Sequence, residues 1–218
     1  MLKTRDLFDL RHTLAGDWLK NFSYPWEALE GIRDIIVALG RELGPEYALF
    51  KEYIWIHRTA SVDPTAHLSG PCIIGRGSQV RHCAFIRGGA LVGDNCVIGN
   101  STEIKNAILF DGVQVPHYNY IGDSILGCKV HLGAGAITSN IKSDRSNVVI
   151  RAPWGDIPTG LRKIGAMVGD FAEVGCGSVL NPGTIVGKNA TIYPLSCVRG
   201  MVPENSICKP GGIIAKKN

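Results

Sequence analysis

From residue 56 to residue 104 an aliphatic side chain returns at every sixth position: Ile56, Val62, Leu68, Ile74, Val80, Ile86, Val92, Ile98 and Ile104. Val168, Val174, Leu180, Val186, Ile192 and Val198 hold the same period further on. Glycine often follows the aliphatic residue, as in Ile74-Gly75, Val92-Gly93 and Ile98-Gly99. A period of six matches neither the 3.6 of a helix nor the alternation of a hairpin strand. It is the hexapeptide signature of a parallel β-helix. Three hexads make one triangular coil of about eighteen residues, with the aliphatic residue inward and small residues at the corners. Stacked about 4.8 Å apart, such coils bury one continuous apolar column.

Between the two runs the phase slips. The inward series continues as Leu109, Val115, Ile121, Leu126, Leu132 and Thr138, with two steps of five. Residues 141–167 leave the pattern and carry Lys142, Arg145, Arg151, Arg162 and Lys163 among Pro153, Gly155, Pro158 and Gly160. This predicts a loop excursion, either a solvated insertion or a basic flap over an anionic ligand.

The first 53 residues follow another rule. Leu7, Leu10, Leu14, Trp18 and Phe22 form one stripe, predicting an amphipathic helix over 4–22 with Thr4 as N-cap. A second helix is predicted from Pro25, with Leu29, Ile32, Ile36, Leu39 and Leu43 as its stripe and Gly44-Pro45 as its stop. An open solenoid end exposes unpaired backbone. Residues 1–53 are therefore expected to cap one end of a solenoid that occupies 54–218, or else to bind a partner.

Composition narrows the picture only a little. The chain has 218 residues and a net charge of +4, with no basic run or stripe of the kind nucleic-acid binding requires. The seven cysteines include no C-x-x-C pair and read as reduced, mostly buried thiols. No signal-peptide core and no apolar run of membrane length is visible, so a cytoplasmic location is expected.

Candidate chemistry gathers where the period slips. Arg87 follows Ile86 and Lys105 follows Ile104, one full coil apart, so the two cations should stand one above the other. A phosphate would satisfy both; two solvated cations are the plain alternative. His117 is a candidate proton acceptor near neutral pH. Asn119 and Tyr120 could orient a ligand, and Asn140 falls one coil further along. A structural role for His117 stays open on these grounds alone. His57, His67, His82 and His131 are read as structural.

Several segments are more specific than the hexads. They are Arg87-Gly88-Gly89, Glu103-Ile104-Lys105, His117-Tyr118-Asn119-Tyr120-Ile121-Gly122-Asp123-Ser124 and Gly133-Ala134-Gly135-Ala136-Ile137-Thr138-Ser139-Asn140, with Thr159-Gly160-Leu161-Arg162-Lys163-Ile164-Gly165-Ala166 beyond. On them, residues 54–210 resemble the acetyltransferase domain of the bifunctional glucosamine-1-phosphate acetyltransferase/N-acetylglucosamine-1-phosphate uridyltransferase family, in its archaeal-type sugar-phosphate form. The resemblance implies a left-handed parallel β-helix, acetyl-CoA as co-substrate, an amino-sugar phosphate as acceptor, a place in UDP-N-acetylglucosamine biosynthesis, and a homotrimer with its site between subunits. It implies His117 as general base, Arg87 and Lys105 on the sugar phosphate, Tyr120 and Asn140 on the sugar, and Ala134 and Cys176 along the acetyl-CoA path, largely through backbone. In two respects the chain departs from the family. Residues 1–53 hold no L-x-x-G-x-G-T-R signature, so uridylyl transfer is not expected and a separate nucleotidyltransferase is a possible partner. Tyr193-Pro194 stands where bacterial relatives have small residues near the cofactor.

Two other functions compete. A zinc site of the kind built on some hexapeptide solenoids needs three histidines, yet Gly122 stands where the second of an H-x-x-x-x-H pair would be, so no metal is expected. A non-catalytic trimeric scaffold or sugar-nucleotide-binding subunit would keep the same residues without turnover.

Overall fold

The computed structural model describes residues 2–217. The hexads form stacked parallel coils with three strand positions per coil. One face runs through Ile54–His57, Cys72–Ile74, Ala90–Val92, the second half of Glu103–Leu109, the second half of Tyr120–Leu126, Ala166–Val168, Thr184–Val186 and Met201–Val202. A second face, from Ser61–Val62 to Ser206–Lys209, is a separate sheet. The third runs from His67–Leu68 through Phe85–Ile86 and the first halves of the two long strands to Ile137–Thr138, Val179–Leu180 and Cys197–Val198.

The six-spaced residues point inward as expected. From Leu68 to Ile104, and from Val168 to Val198, each is at most 5% exposed. Ile56 and Val62, in the first coil, are partly buried against the same column. The slipped series Leu109, Val115, Ile121, Leu126, Leu132 and Thr138 is completely buried. Each step of five removes one residue from a corner. Ile104 pairs with Ile86, and Ile121 with Ile104, so register survives the shorter coil. The missing residue is absorbed by left-handed backbone at Asn106 (φ 49°) and Asp123 (φ 45°), where asparagine and aspartate are tolerated better than most residues.

Both ends of the solenoid carry antiparallel strands. Tyr47–Lys51 pairs with Ile54–His57, and Ile213–Lys216 pairs with Ser206–Lys209. The helical segment is therefore free for another task, and it does not form the expected cap. Residues 4–22 break into Thr4–Leu7, a 3₁₀ turn at Leu10–His12 and Gly16–Leu19. Thr4 is not the N-cap; Lys3 is, and the Thr4 hydroxyl bonds the Phe22 carbonyl at 2.8 Å. The second helix begins as a 3₁₀ stretch, Pro25–Gly31, and continues as Ile32–Glu42.

These pieces lie along the first face rather than across an end. That face has an outward apolar column, Trp55, Ile73, Leu91, Ile108, Ile125, Met167, Ile185 and Met201, in continuous register. Leu7, Phe8, Leu19, Trp26, Leu29, Ile32 and Ile36 pack against it as one cluster. Gly40 lets the last helix close on Trp55, since a Cβ there would stand 2.4 Å from the indole ring.

The excursion is also packed. It forms a hairpin, Val149–Ala152 with Gly155–Pro158, and Val148, Ile150 and Ile164 join the same cluster beside Ile185. It is thus an apolar-backed arm and not a solvated insertion. It ends before the predicted residue 167, because Ala166–Val168 is already a coil strand.

If the helices cover the face, an outward residue should matter as much as an inward one. Ile108→Ala is expected to lower unfolding free energy by about 2–5 kcal/mol in urea titrations, comparable with Ile104→Ala. A helical cap confined to one end would leave Ile108→Ala within about 0.5 kcal/mol of the parent.

Candidate active site

The third face has two edges, and the candidate residues divide between them. Arg87 and Lys105 follow paired residues Ile86 and Ile104 at the edge nearest the helical layer. They stack as expected, but each has a carboxylate of its own. Arg87 Nη1 lies 2.6 Å from Glu103 Oε1, which raises the guanidinium pKa further. Lys105 Nζ lies 3.9 Å from Asp123 Oδ2. The repulsion between the cations is therefore answered within the chain.

Asp123 is the centre of this edge. It is 5% exposed, and its carboxylate accepts from Asn106 Nδ2 at 2.9 Å and from Asn140 Nδ2. Asn106 also donates to the Leu29 carbonyl at 3.1 Å, which ties the cluster to the helices. Asn140 donates to the Tyr120 hydroxyl at 3.2 Å. Burial, followed by the charges of Asp123 and Glu103, pushes the Tyr120 phenol up, so it stays a neutral donor. Tyr120 thus keeps a hydroxyl proton to offer a ligand. Sequence reasoning missed Glu103, Asn106 and Asp123 as site members. Asn106, Asp123 and Asn140 are each 17 residues apart, the spacing of a shortened coil, and that was the available signal.

His117 lies at the other edge, exposed at the end of Gln114–His117. The turn after it repeats up the solenoid. Tyr118 (φ 52°), Gly135 (φ 71°), Gly177 (φ 66°) and Leu195 (φ 58°) occupy the same position in successive coils. Gly135 N–H bonds the His117 carbonyl at 3.0 Å, Gly177 N–H the Ala134 carbonyl at 2.8 Å and Leu195 N–H the Cys176 carbonyl at 2.9 Å. His117, Ala134 and Cys176 therefore follow one another along one edge. The carbonyls of Ala134 and Cys176 are taken, while no partner is found for their N–H groups among the described residues. Beyond Cys176 the edge carries Pro194 and the highly exposed Leu195. Asn119 does not face a ligand. It is 2% exposed, and its amide holds the Gly133 and Ala136 carbonyls at 2.8 and 3.1 Å.

His117 is five residues from Gly122, which pairs with Lys105, so the connecting chain spans at most about 17 Å. Past Asn140 the hairpin arm and the later coils enclose a cavity of about 510 Å³. Lys142, Arg151 and Arg199 line it, opposed by Asp144 and Asp156. Of the basic residues in the excursion, Arg145, Arg162 and Lys163 stand away from it. Among the described residues, no group of three His, Cys, Asp or Glu side chains could share a metal ion, and no helix is long and apolar enough to cross a membrane.

The fold and the paired edges define a hexapeptide-repeat β-helix protein with a polar site on its uncovered third face. Residues 68–151 match the family described as the GMPPB C-terminal domain. The bifunctional protein GlmU of Methanococcus aeolicus is 30% identical over 208 residues, 93% of this chain and 50% of that protein. The GlmU of Methanococcus maripaludis strain S2 is 31% identical over 183 residues, 82% of this chain and 44% of that protein. Among solved structures, the acetyltransferase domain of PglB from Neisseria gonorrhoeae superposes with a TM-score of 0.41 at 22% identity, over 82% of this chain and 60% of that one. The chain is similar to the GlmU-type proteins and spans about half the length of these two. With 93% of the chain inside one match, that similarity takes in most of the helical segment as well as the solenoid.

Removing the charge of Asp123 tests the architecture of the edge nearest the helical layer. Asp123→Asn is expected to destabilise the fold by about 1–3 kcal/mol, because Lys105 loses its counter-charge and two amides lose a strong acceptor. Urea melts read this directly; a change below about 0.5 kcal/mol would mean that the cluster is solvated rather than built.

Proposed function

We propose that the chain transfers the acetyl group of acetyl-CoA to the amine of an amino-sugar phosphate, with glucosamine 1-phosphate as the first acceptor to test. One observation carries this reading. His117, Ala134 and Cys176 line one edge of a face, while Arg87, Lys105, Tyr120 and Asn140 gather at its other edge. The donor thioester would lie along the first edge, and the acceptor would cross the face with its phosphate towards the cations. The GlmU relatives support the choice of chemistry.

In the reaction the amine nitrogen attacks the thioester carbon, the C–S bond breaks, and coenzyme A leaves as its thiol. His117 accepts the proton that the nitrogen sheds and returns it to the departing sulfur, a contribution of about 10²–10⁴-fold. The N–H groups at Ala134 and Cys176 offer donors to the carbonyl oxygen as it gains charge. No covalent enzyme intermediate is required. Holding both substrates on one face contributes through orientation.

The carboxylates set a limit on the phosphate clamp. Arg87 and Lys105 must share themselves between a phosphate and Glu103 or Asp123, which repel it. Each cation is therefore expected to contribute at the low end for a charged hydrogen bond, about 1.5 kcal/mol. A homotrimer suits the exposed apolar side chains Phe85, Tyr118, Ile137 and Leu195 around the third face; light scattering at micromolar concentration should return three times the chain mass, and a monomer would count against a shared site.

The internal pairing of Arg87 and Lys105 favours a second reading, a non-catalytic scaffold or sugar-nucleotide-binding subunit. A turnover assay separates the two. Acceptor-dependent release of coenzyme A from acetyl-CoA and glucosamine 1-phosphate is expected. His117→Ala should lower kcat by about 10²–10⁴-fold with acceptor binding nearly unchanged. Lys105→Ala should raise KM about tenfold for the phosphorylated acceptor and much less for free glucosamine. Absence of turnover, or full activity in His117→Ala, contradicts the catalytic reading.

A further inference from the structure

Four of the seven free cysteines are buried, as expected for most of them, while Cys83, Cys176 and Cys197 are exposed. Cys83 is set apart by its surroundings. Its Sγ lies 3.3 Å from His82 Nε2. His82 Nδ1 lies 2.7 Å from Thr65 Oγ1, and the Thr65 hydroxyl donates to Asp63 Oδ1 at 2.5 Å. The Cys83 backbone N–H also donates to Thr65 Oγ1, at 3.0 Å.

These contacts determine which imidazole nitrogen carries the proton. A threonine hydroxyl has one proton and two lone pairs. Asp63 takes the proton, so Thr65 can only accept from its other neighbours. Cys83 N–H fills one lone pair, and His82 Nδ1–H must fill the other. In the neutral ring Nε2 is then bare, and it is the atom that faces the Cys83 thiol. Aspartate, threonine and histidine thus form an oriented base beside a thiol, the arrangement by which enzymes activate a nucleophile. Among the described residues Cys176 has no such neighbour, and Cys197 Sγ meets the Asn181 amide at 3.2 Å. Burial pushes the Cys72 and Cys96 thiols up to about 12, which leaves them protonated and inert.

From this geometry we infer that Cys83 is a modification site, an activated thiol that exchanges with low-molecular-weight disulfides. The thiol proton passes to His82 Nε2. The sulfur attacks one sulfur of the disulfide, a Cys83 mixed disulfide forms, the original S–S bond breaks, and the departing thiolate takes the proton from the imidazolium. The place of Cys83 gives the adduct a consequence. Ser101 N–H bonds the His82 carbonyl, and Tyr118 N–H bonds the Asn100 carbonyl. Cys83 therefore lies on the His117 edge, two coils away, about 10 Å. An adduct there would crowd whatever ligand that edge holds.

The exposed cysteines provide the internal control. The full chain is treated with limiting iodoacetamide near neutral pH, and labelling of each cysteine is followed by peptide mass spectrometry. Cys83 is expected to label about tenfold or more faster than Cys176 and Cys197, and His82→Gln should bring it down to their rate. Glutathione disulfide should place one glutathionyl group on the chain, at Cys83 first. Asp63→Asn, which leaves histidine and thiol in place, should lower the rate part of the way. Urea melts confirm that each variant is folded; His82 is a surface side chain. Equal labelling of the three exposed cysteines, or a Cys83 rate unchanged by His82→Gln, overturns the inference.

Discussion

Every residue of the solenoid sits over the residue one coil earlier, held there by parallel backbone hydrogen bonds. Whatever the sequence repeats at coil spacing becomes a column in space. The inward aliphatic column is the strongest case, since burying each such side chain stabilises the fold by about 1.5–3 kcal/mol. The same constraint creates the outward column from Trp55 to Met201 that the helices and the hairpin arm cover. It also creates the Asn106–Asp123–Asn140 column and the edge of His117, Ala134 and Cys176. A site built this way inherits its precision from the core, because no member can move without breaking the ladder beneath it.

The helical layer and the site are coupled through this geometry. Asn106 stands in left-handed backbone because the coil is one residue short, and its amide reaches both Asp123 and the Leu29 carbonyl. Arg33, on the last helix, donates to the Gly70 carbonyl at 3.3 Å near the same corner. The helices therefore buttress the cationic edge of the third face while leaving the face itself open.

The inward column was legible from sequence because its period is strict and its residue type uniform. The slip was legible too, as steps of five at Leu109 and Leu126. The outward column was harder to see. Ile73, Leu91 and Ile108 sit between inward residues in apolar triplets, where nothing in the hexad spacing marks a second buried surface. Helix 4–22 failed because Asp9 and Thr13 divert the backbone: Asp9 accepts from Arg11 N–H, and Thr13 Oγ1 from Ala15 N–H. Of the site, coil arithmetic put Lys105 over Arg87 and Asn140 a coil further along, while Ala134 and Cys176 rested on the family resemblance alone. The carboxylates could not be read, since nothing in a linear spacing says that Glu103 turns to Arg87 while Asp123 turns to Lys105. The oriented His82 was read as structural because its partners, Thr65 and Asp63, lie one coil away and gain meaning only from hydroxyl geometry.

The central claim is that coil register lays the acyl donor along the edge of His117, Ala134 and Cys176. A crystal structure with coenzyme A bound tests it most directly. The account predicts the pantetheine arm along that edge, with its sulfur near His117 and backbone N–H groups of Ala134 or Cys176 on the ligand. Coenzyme A seated in the cavity beneath the hairpin arm, or along the edge of Lys105 and Asn140, would contradict it.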